Sequence, residues 1–358
     1  MTIAIEIAGR QIGNGHPPLV IAEIGVNHNG DPELALRLLE AAADAGADAV
    51  KLQTFRSEAL AMPNAPQAAY QRARARASSQ LEMLRELELP TSAIGSLQAR
   101  AAQQDIILFS SPFDLESVDL LASLKVPAFK IGSGDLTNLI LLRAVAGHGV
   151  PVLLSTGMAT ISEIDLAMED LRAHGNPSVA LLQCVSVYPA APAMINLRAM
   201  GTLRDRYNVP VGLSDHTTGL GTPVAAAALG AAIIEKHLTL DRSLPGPDHA
   251  ASLDPMAFRQ MVEAIHEAHE ALGVGVKAPI AQESEVRMAV RRSLVLARGV
   301  AAGQPLSADD LIALRPEQGL SPLLIDAVVG RRAGRDLEMG DRLRGTDLRP
   351  PLEIPDVG

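Results

Sequence analysis

Eight short apolar or β-branched runs, each closed by polar residues and followed by Ala, Leu and Glu at three- and four-residue spacing, constrain this chain more than anything else in it. They span residues 19–22, 49–52, 106–109, 128–131, 152–154, 179–182, 210–213 and 233–235. Helical patterns read clearly at 32–45, 115–124, 136–146, 162–174, 223–231 and 254–272. Near-continuous apolar runs suit strands buried on both faces by packed helices. Eight β-then-α units in about 250 residues match a TIM (β/α)8 barrel; a doubly wound sheet of eight parallel strands is the alternative.

The second connection, between Thr54 and Asp105, is too long for a plain unit and carries an insertion, which in such a fold predicts a functional loop. The alternating Arg72, Arg74 and Arg76 within it read as the solvated face of a helix. After Gly273 the pattern breaks. Residues 1–273 are expected to form the barrel, 274–289 a linker, and 290–358 a small domain of short strands and turns. Its signals are the β-type run 293–297, turns at Gly299, Gly303 and Gly340, and a helix start at Ser307. So small a module is expected to have little core of its own and to lean on a partner surface.

The composition excludes some functions. A net charge of −10 with Phe 5, Tyr 3 and no Trp gives neither a basic excess nor a stacking platform for nucleic acid. Cys184 is the only cysteine, so no internal disulfide forms. No apolar run approaches the roughly 18 residues of a membrane span, and a cytoplasmic protein with no membrane partner is expected.

In a barrel of this kind chemistry sits at the carboxyl ends of the strands, and all eight ends carry polar residues. The first gives Glu23, Gly25, Asn27 and His28; the second Lys51 and Gln53; the third Ser110 and Ser111; the fourth Lys130, Ser133 and Asp135. The fifth gives Ser155, Thr156 and Gly157, the sixth Gln183, Ser186 and Tyr188, the seventh Ser214, Asp215 and His216, the eighth Lys236 and His237. His216 and His237 end neighbouring strands, and the strand bearing Glu23 closes beside them. Two imidazoles and a carboxylate would converge there and suit a divalent ion with open positions; structural, hydrogen-bonded histidines are the plainer reading. Lys51 and Lys130, with Ser111, Ser133, Ser155 and Ser214 and the approachable amides of Gly132, Gly134 and Gly157, suit a phosphate or carboxylate. The plainer reading makes the lysines barrel-interior residues paired with acids.

The stretches IAEIGVNHNGD, KLQTF, SSPFD, KIGSGDL, LSTGMA, LLQCVSVYPA, INLRAM, VGLSDHT, EKHLTLD and GPDHAASLDP, in this order, resemble the sialic acid synthase family: the N-acetylneuraminate, legionaminate and pseudaminate synthases. The segment RRSLVLARGVAAGQPLSADDLIALRPEQGLSP resembles the antifreeze-like (SAF, β-clip-like) domain of those enzymes. The resemblance implies condensation of phosphoenolpyruvate with an N-acetylated hexosamine, water entering and phosphate leaving by C–O cleavage, in the presence of manganese or magnesium. By position it implies His216 and His237 as metal ligands, and Lys51, Lys130, Ser133, Ser155, Ser186 and Ser214 as phosphoenolpyruvate contacts. It implies Glu23 in catalysis, Gln53, Asp135 and Asp248 on the sugar, and Tyr188 near the phosphoenolpyruvate; with so few aromatic residues in the chain, Tyr188 is expected to be the single ring of the site. It also implies a domain-swapped homodimer in which Arg315 reaches the sugar's N-acetyl group on the other subunit's barrel. Two positions depart from relatives: Ser186 where Asn is frequent, and Asp135 where some have Glu.

Other readings are a Schiff-base aldolase using Lys51, Lys130 or Lys236, a synthase acting on a sugar phosphate, for which the 246–255 loop offers no cation beyond Arg242, and an inert barrel with a binding module. The DHAAS and APQAAYQ stretches look more like the neuraminate and legionaminate types than the pseudaminate type.

Overall fold

The eight apolar runs form parallel strands buried on both faces that close on themselves and leave no open edge. The computed structural model describes residues 4–13, 15–72, 77–176 and 178–353. A hairpin of β1 (Ile5–Ile7) and β2 (Arg10–Ile12) comes first. The barrel strands are β3 (Leu19–Gly25), β4 (Ala49–Thr54), β5 (Ile107–Pro112), β6 (Phe129–Ile131), β7 (Val152–Ser155), β8 (Val179–Cys184), β9 (Val211–Asp215) and β10 (Ile233–His237). They pair in sequence order, and β10 returns to β3 to complete a closed, all-parallel barrel. The barrel is the fold expected; the doubly wound alternative is overturned by that closure.

The helices start where side chains satisfy their first amides. Asp31 caps Pro32–Asp44, Asp114 caps Leu115–Ser123, Asn138 caps Leu139–Ala146, Thr160 with Glu163 forms a capping box on Ile161–Ala173, and Asp254 caps Pro255–Leu272. Two of the elements that escaped the sequence reading bear on the barrel. The helix Ala199–Tyr207 is weakly amphipathic, with Arg, Asp and Thr interrupting its apolar stripe. The hairpin is only three residues per strand, but Ile5, Ile7 and Ile12 join the barrel core, and Arg10 bonds to Asp48 and Pro18 at the amino-terminal ends of β4 and β3. One end of the barrel is thereby closed, leaving the carboxyl ends for chemistry.

The insertion after β4 folds as the short helices Ser57–Leu60, Ala69–Arg72 and Gln80–Leu87. It has its own apolar cluster of Val26, Phe55, Met83, Leu84 and Leu87. Arg72 donates to the Gln67 carbonyl, 2.6 Å; Arg74 and Arg76 lie outside the described residues.

The chain divides into two compact units, Met1–Gly273 and Val274–Gly358. The second contains the antiparallel pairs β11 (Ser293–Leu296) with β12 (Leu311–Leu314) and β13 (Arg332–Ala333) with β14 (Leu348–Arg349). Its core is larger than expected: Leu294, Leu296, Val300, Leu306, Leu320 and Leu343 are among its buried members. Leucines spaced across turns, with no strand pattern to mark them, build it. Among the described residues no helix is long and apolar enough to cross a membrane.

Candidate active site

Alternation along each strand decides which polar residues face the barrel axis. On β9 and β10 the axis receives Ser214, Glu235 and His237, with His216 just beyond β9; the intervening Asp215 and Lys236 are register partners on the outer face. There the Lys236 ammonium is taken up by the Asp215 carboxylate, the Thr217 carbonyl and the Thr217 hydroxyl. Lys236 therefore presents no amine to the barrel interior, which removes it as a Schiff-base candidate.

The carboxyl ends of the strands surround a cavity of about 660 Å³. Lys51, Gln53, Ser111, Lys130, Ser133, Asp135, Ser155, Ser186, Tyr188, Ser214, His216, His237 and Asp248 all line it. Glu23 stands behind this wall. Its carboxylate pairs with the Lys51 ammonium at 2.7 Å and accepts from Gln53 Nε2 at 3.0 Å. The expected convergence of Glu23 with both histidines is thus corrected: among the described residues no set of three His, Cys, Asp or Glu is arranged to hold a metal ion. The physical reason is the register. Glu23 sits opposite Lys51 on β4 as well as His237 on β10, and the buried cation wins the carboxylate.

Glu235 was missed, although its place two residues before His237 on one strand puts it on the axis. Its Oε1 accepts from Lys51 Nζ at 3.2 Å and Ser214 Oγ at 3.1 Å and lies 3.6 Å from Lys130 Nζ. The plain reading of the lysines as interior residues paired with acids therefore describes part of their role, and they also face the cavity. Burial disfavours the charge on Glu235, but the Lys130 and Lys51 ammonium groups outweigh it and bring the carboxyl down to about 2. Burial dominates at Lys51 and lowers its ammonium to about 8, against the opposing pull of Glu235.

Three buried oxygens on this wall have no hydrogen-bond partner among the described residues: Ser111 Oγ, Ser155 Oγ and Glu235 Oε2. Buried polar atoms are nearly always paired, so three orphans facing one cavity mark where a ligand supplies the partners. Gly157 does not leave its amide free as expected; its N–H donates to Ser133 Oγ at 2.9 Å. A β-carbon at Gly157 would lie 2.5 Å from Ser186 Oγ and 2.7 Å from Ser133 Oγ, so only glycine lets these hydroxyls meet there.

His216 and His237 have ring centres 5.3 Å apart. The Val185 carbonyl lies 2.8 Å from His216 Nδ1, and an Asp248 carboxylate oxygen lies 3.7 Å from His237 Nδ1. Burial, then the His216 ring and Lys51, hold His237 well below the usual histidine range. Burial also lifts the Asp248 carboxyl, to about 6. The His28 ring, by contrast, is buried away from the cavity, accepts from the Gly30 amide, and is held down to about 4 by burial.

Tyr188 is not the single ring of the site. Its ring centre is 4.0 Å from that of His216 and 5.8 Å from that of His237, and Tyr70 of the insertion stacks with it at 4.9 Å. Tyr70 and Phe113 both line the cavity. The loop 246–255 adds no cation: Arg242 donates to the Ala250 carbonyl and does not line the wall. Arg315 is exposed in the second unit and forms no ion pair among the described residues.

Residues 38–277 match the model of the NeuB family, and residues 291–349 that of the SAF domain. The chain belongs to the NeuB family. This NeuB family member is 42% identical to the N,N'-diacetyllegionaminic acid synthase of Legionella pneumophila over 336 residues, 92% of this chain and 94% of that protein. It is 34% identical to a pseudaminic acid synthase of Campylobacter jejuni over 343 residues, 95% of this chain and 100% of the relative. Its structure is similar to that of the N-acetylneuraminic acid synthetase of Leptospira borgpetersenii, solved with citrate, at a TM-score of 0.71 and 36% identity, covering 80% of this chain and 95% of that one. The NeuB family member is accordingly an enzyme of the sialic acid synthase type.

Proposed function

We propose that this enzyme condenses phosphoenolpyruvate with the open-chain form of an N-acetylated hexosamine, N-acetylmannosamine or a 2,4-diacetamido relative, and with water. The products are a nine-carbon 2-keto sugar acid and inorganic phosphate. The observation that carries the reading is one buried wall on which two ammonium groups, Lys51 and Lys130, stand beside the unpartnered hydroxyls of Ser111 and Ser155. Cations and donors so placed suit a small polyanion with a phosphate and a carboxylate.

In this reaction C3 of the enol attacks the aldehyde carbon, water adds at C2, and the C2–O bond to phosphorus breaks. The proton gained by the new hydroxyl balances one lost by the water. Lys51, Lys130 and the hydroxyls of Ser111, Ser133, Ser155, Ser186 and Ser214 hold the anionic partner and fix the enol against the aldehyde, converting an encounter into an oriented pair. Gln53, Asp135 and Asp248 meet the sugar, Asp248 with a carboxyl poised by burial to accept or donate a proton at a sugar hydroxyl. Glu23 acts through Lys51 and Gln53 as a positioning residue.

His216 and His237 fit a divalent cation, manganese or magnesium. The Val185 carbonyl and the Asp248 carboxylate stand at the Nδ1 sides, which leaves Nε2 of each ring for a ligand, and burial keeps His237 neutral as a ligand must be. Such an ion, when bound, supplies Lewis acidity to a carbonyl or water oxygen. In a homodimer the SAF domain of one chain would cap the barrel of the other, a role for which Arg315, exposed and forming no ion pair among the described residues, is available.

The test is phosphate release from phosphoenolpyruvate labelled with oxygen-18 at the bridging position, with manganese and each sugar. The label is expected in phosphate. Label retained in the sugar acid, or a pyruvate adduct trapped by borohydride on a lysine, overturns the reading.

A further inference from the structure

His216 stands where the backbone ladder gives out. The pairing of β9 with β10 ends at Asp215 against Lys236, and that of β9 with β8 ends at Ser214 against Cys184. His216 lies one residue beyond Asp215, whereas His237 is still in register with Glu23 on β3. His216 has partners in the loop after β8: its Nδ1 lies 2.8 Å from the Val185 carbonyl, and its own carbonyl accepts from the Ala190 amide at 2.9 Å. Neither contact reaches β10, the strand that carries His237.

A buried ion pair takes over where the ladder stops. The Lys236 and Asp215 side chains are both 0% exposed and lie on the outer face of the barrel wall. An ammonium has three N–H donors, and the acceptors around this one all come from residues 215 and 217: the Asp215 carboxylate, the Thr217 carbonyl and the Thr217 hydroxyl. The Asp215 carboxylate also accepts from the Thr217 amide at 3.0 Å and from the Thr217 hydroxyl at 2.9 Å, which closes the turn around His216.

Resting on the cation site proposed above, we infer that Lys236 and Asp215 are positioning residues: the pair ties the turn that carries His216 to the strand that carries His237 and so sets the two imidazoles for a divalent cation. Stability alone would be served by any satisfied pair. Here the ammonium bonds to the two residues that flank His216, and it does so from the residue that precedes His237. Ligand distances in a metal site hold to within about 0.2 Å. A turn able to drift relative to β10 would misplace one of two rings whose centres are 5.3 Å apart. Lys236 and Asp215 do not line the cavity, so they act through their neighbours and touch no substrate.

The experiment measures the binding of manganese alone, by titration calorimetry on chelator-stripped protein with no substrate present. Lys236→Met leaves the Asp215 carboxylate buried and unpaired, which by itself destabilises the fold. The double variant Lys236→Met, Asp215→Asn removes both charges, and the new amide oxygen can still accept from the Thr217 amide, so the turn keeps its own bond while the tie to β10 is cut. The double variant is expected to keep the circular dichroism spectrum of the unaltered protein and to bind manganese about 10–100-fold more weakly. Unchanged affinity in the folded double variant overturns the positioning role and leaves the cation site standing. A double variant that does not fold assigns the pair to stability and overturns the role as well. Unaltered protein that binds no manganese overturns the cation site and the inference with it.

Discussion

Glu23 and Lys51 face each other in register on adjacent barrel strands and hold their charges 2.7 Å apart, with side chains 0% and 6% exposed. Removing Glu23 takes one of two carboxylate partners from the buried Lys51, Glu235 remaining at 3.2 Å, so the cost is a fraction of the about 3–5 kcal/mol that a fully uncompensated buried charge carries. Glu23→Gln is therefore expected to lower the thermal midpoint and also raise KM for phosphoenolpyruvate, since Lys51 would shift toward Glu235. Adding Lys51→Met should recover part of the stability but none of the activity. Thermal unfolding alongside steady-state kinetics on both variants checks this, and full activity in Glu23→Gln would show that the pair positions nothing.

Lys51 also sets a pH dependence with two opposite signs. Its ammonium titrates at about 8 in the folded protein against 10.5 for the ordinary group, burial being the main cause. Between these values the unfolded chain binds more protons than the folded one, so this group's contribution to stability rises with pH across that window. Phosphoenolpyruvate binding moves the other way. KM is expected to climb about tenfold per unit once pH passes the folded value. Lys51→Arg, charged throughout, should flatten that limb; an alkaline KM rise unchanged in the variant would assign it elsewhere.

Gly157→Ala tests the serine hydroxyls of the cavity wall without deleting a polar group. The added methyl collides with Ser133 Oγ and Ser186 Oγ and displaces both from the cavity wall. An increase in KM for phosphoenolpyruvate of about tenfold or more, with KM for the sugar near its original value, is expected from misplaced contacts. Parallel rises in both constants would instead point to general disorder of the rim.

Much of this architecture was written into the sequence because parallel strands buried on both faces leave an apolar run that cannot be mistaken for a surface strand. The cavity-lining residues of β6 through β9 were legible for a related reason: polar residues ending apolar runs have few structural motives in common. What escaped was three-dimensional. Glu235 lies inside an apolar run, where only alternation from His237 reveals its direction. Tyr70 belongs to a four-residue helix whose register on Tyr188 depends on how the insertion packs. The place of Glu23 was misjudged because strand adjacency says which residues are near, and not which of two neighbours a carboxylate chooses.

Metal removal separates His216 and His237 as ligands from their plainer role as packed rings against Tyr188. Protein treated with a chelator and shown metal-free by elemental analysis is expected to lose turnover, with manganese or magnesium restoring it. His216→Ala and His237→Ala should each bind manganese at least about tenfold more weakly by titration calorimetry. Full activity in metal-free protein would remove the cation from the reaction.

Arg315 gives the sharpest test of the dimer. In the proposed assembly each complete site draws its barrel from one chain and its arginine from the other. An Arg315→Ala chain and a Lys130→Ala chain are each expected to be nearly inactive alone. Mixed under exchanging conditions, half the dimers are hybrids, and each hybrid has one barrel with Lys130 facing an intact Arg315 and one site carrying both changes. Recovery of about a quarter of wild-type activity is the expected ceiling for random pairing. Activity that stays at the level of the separate variants, with subunit exchange confirmed by mass spectrometry, would show that Arg315 does not act across the dimer, and a KM for the sugar unaltered in Arg315→Ala would remove it from the site altogether.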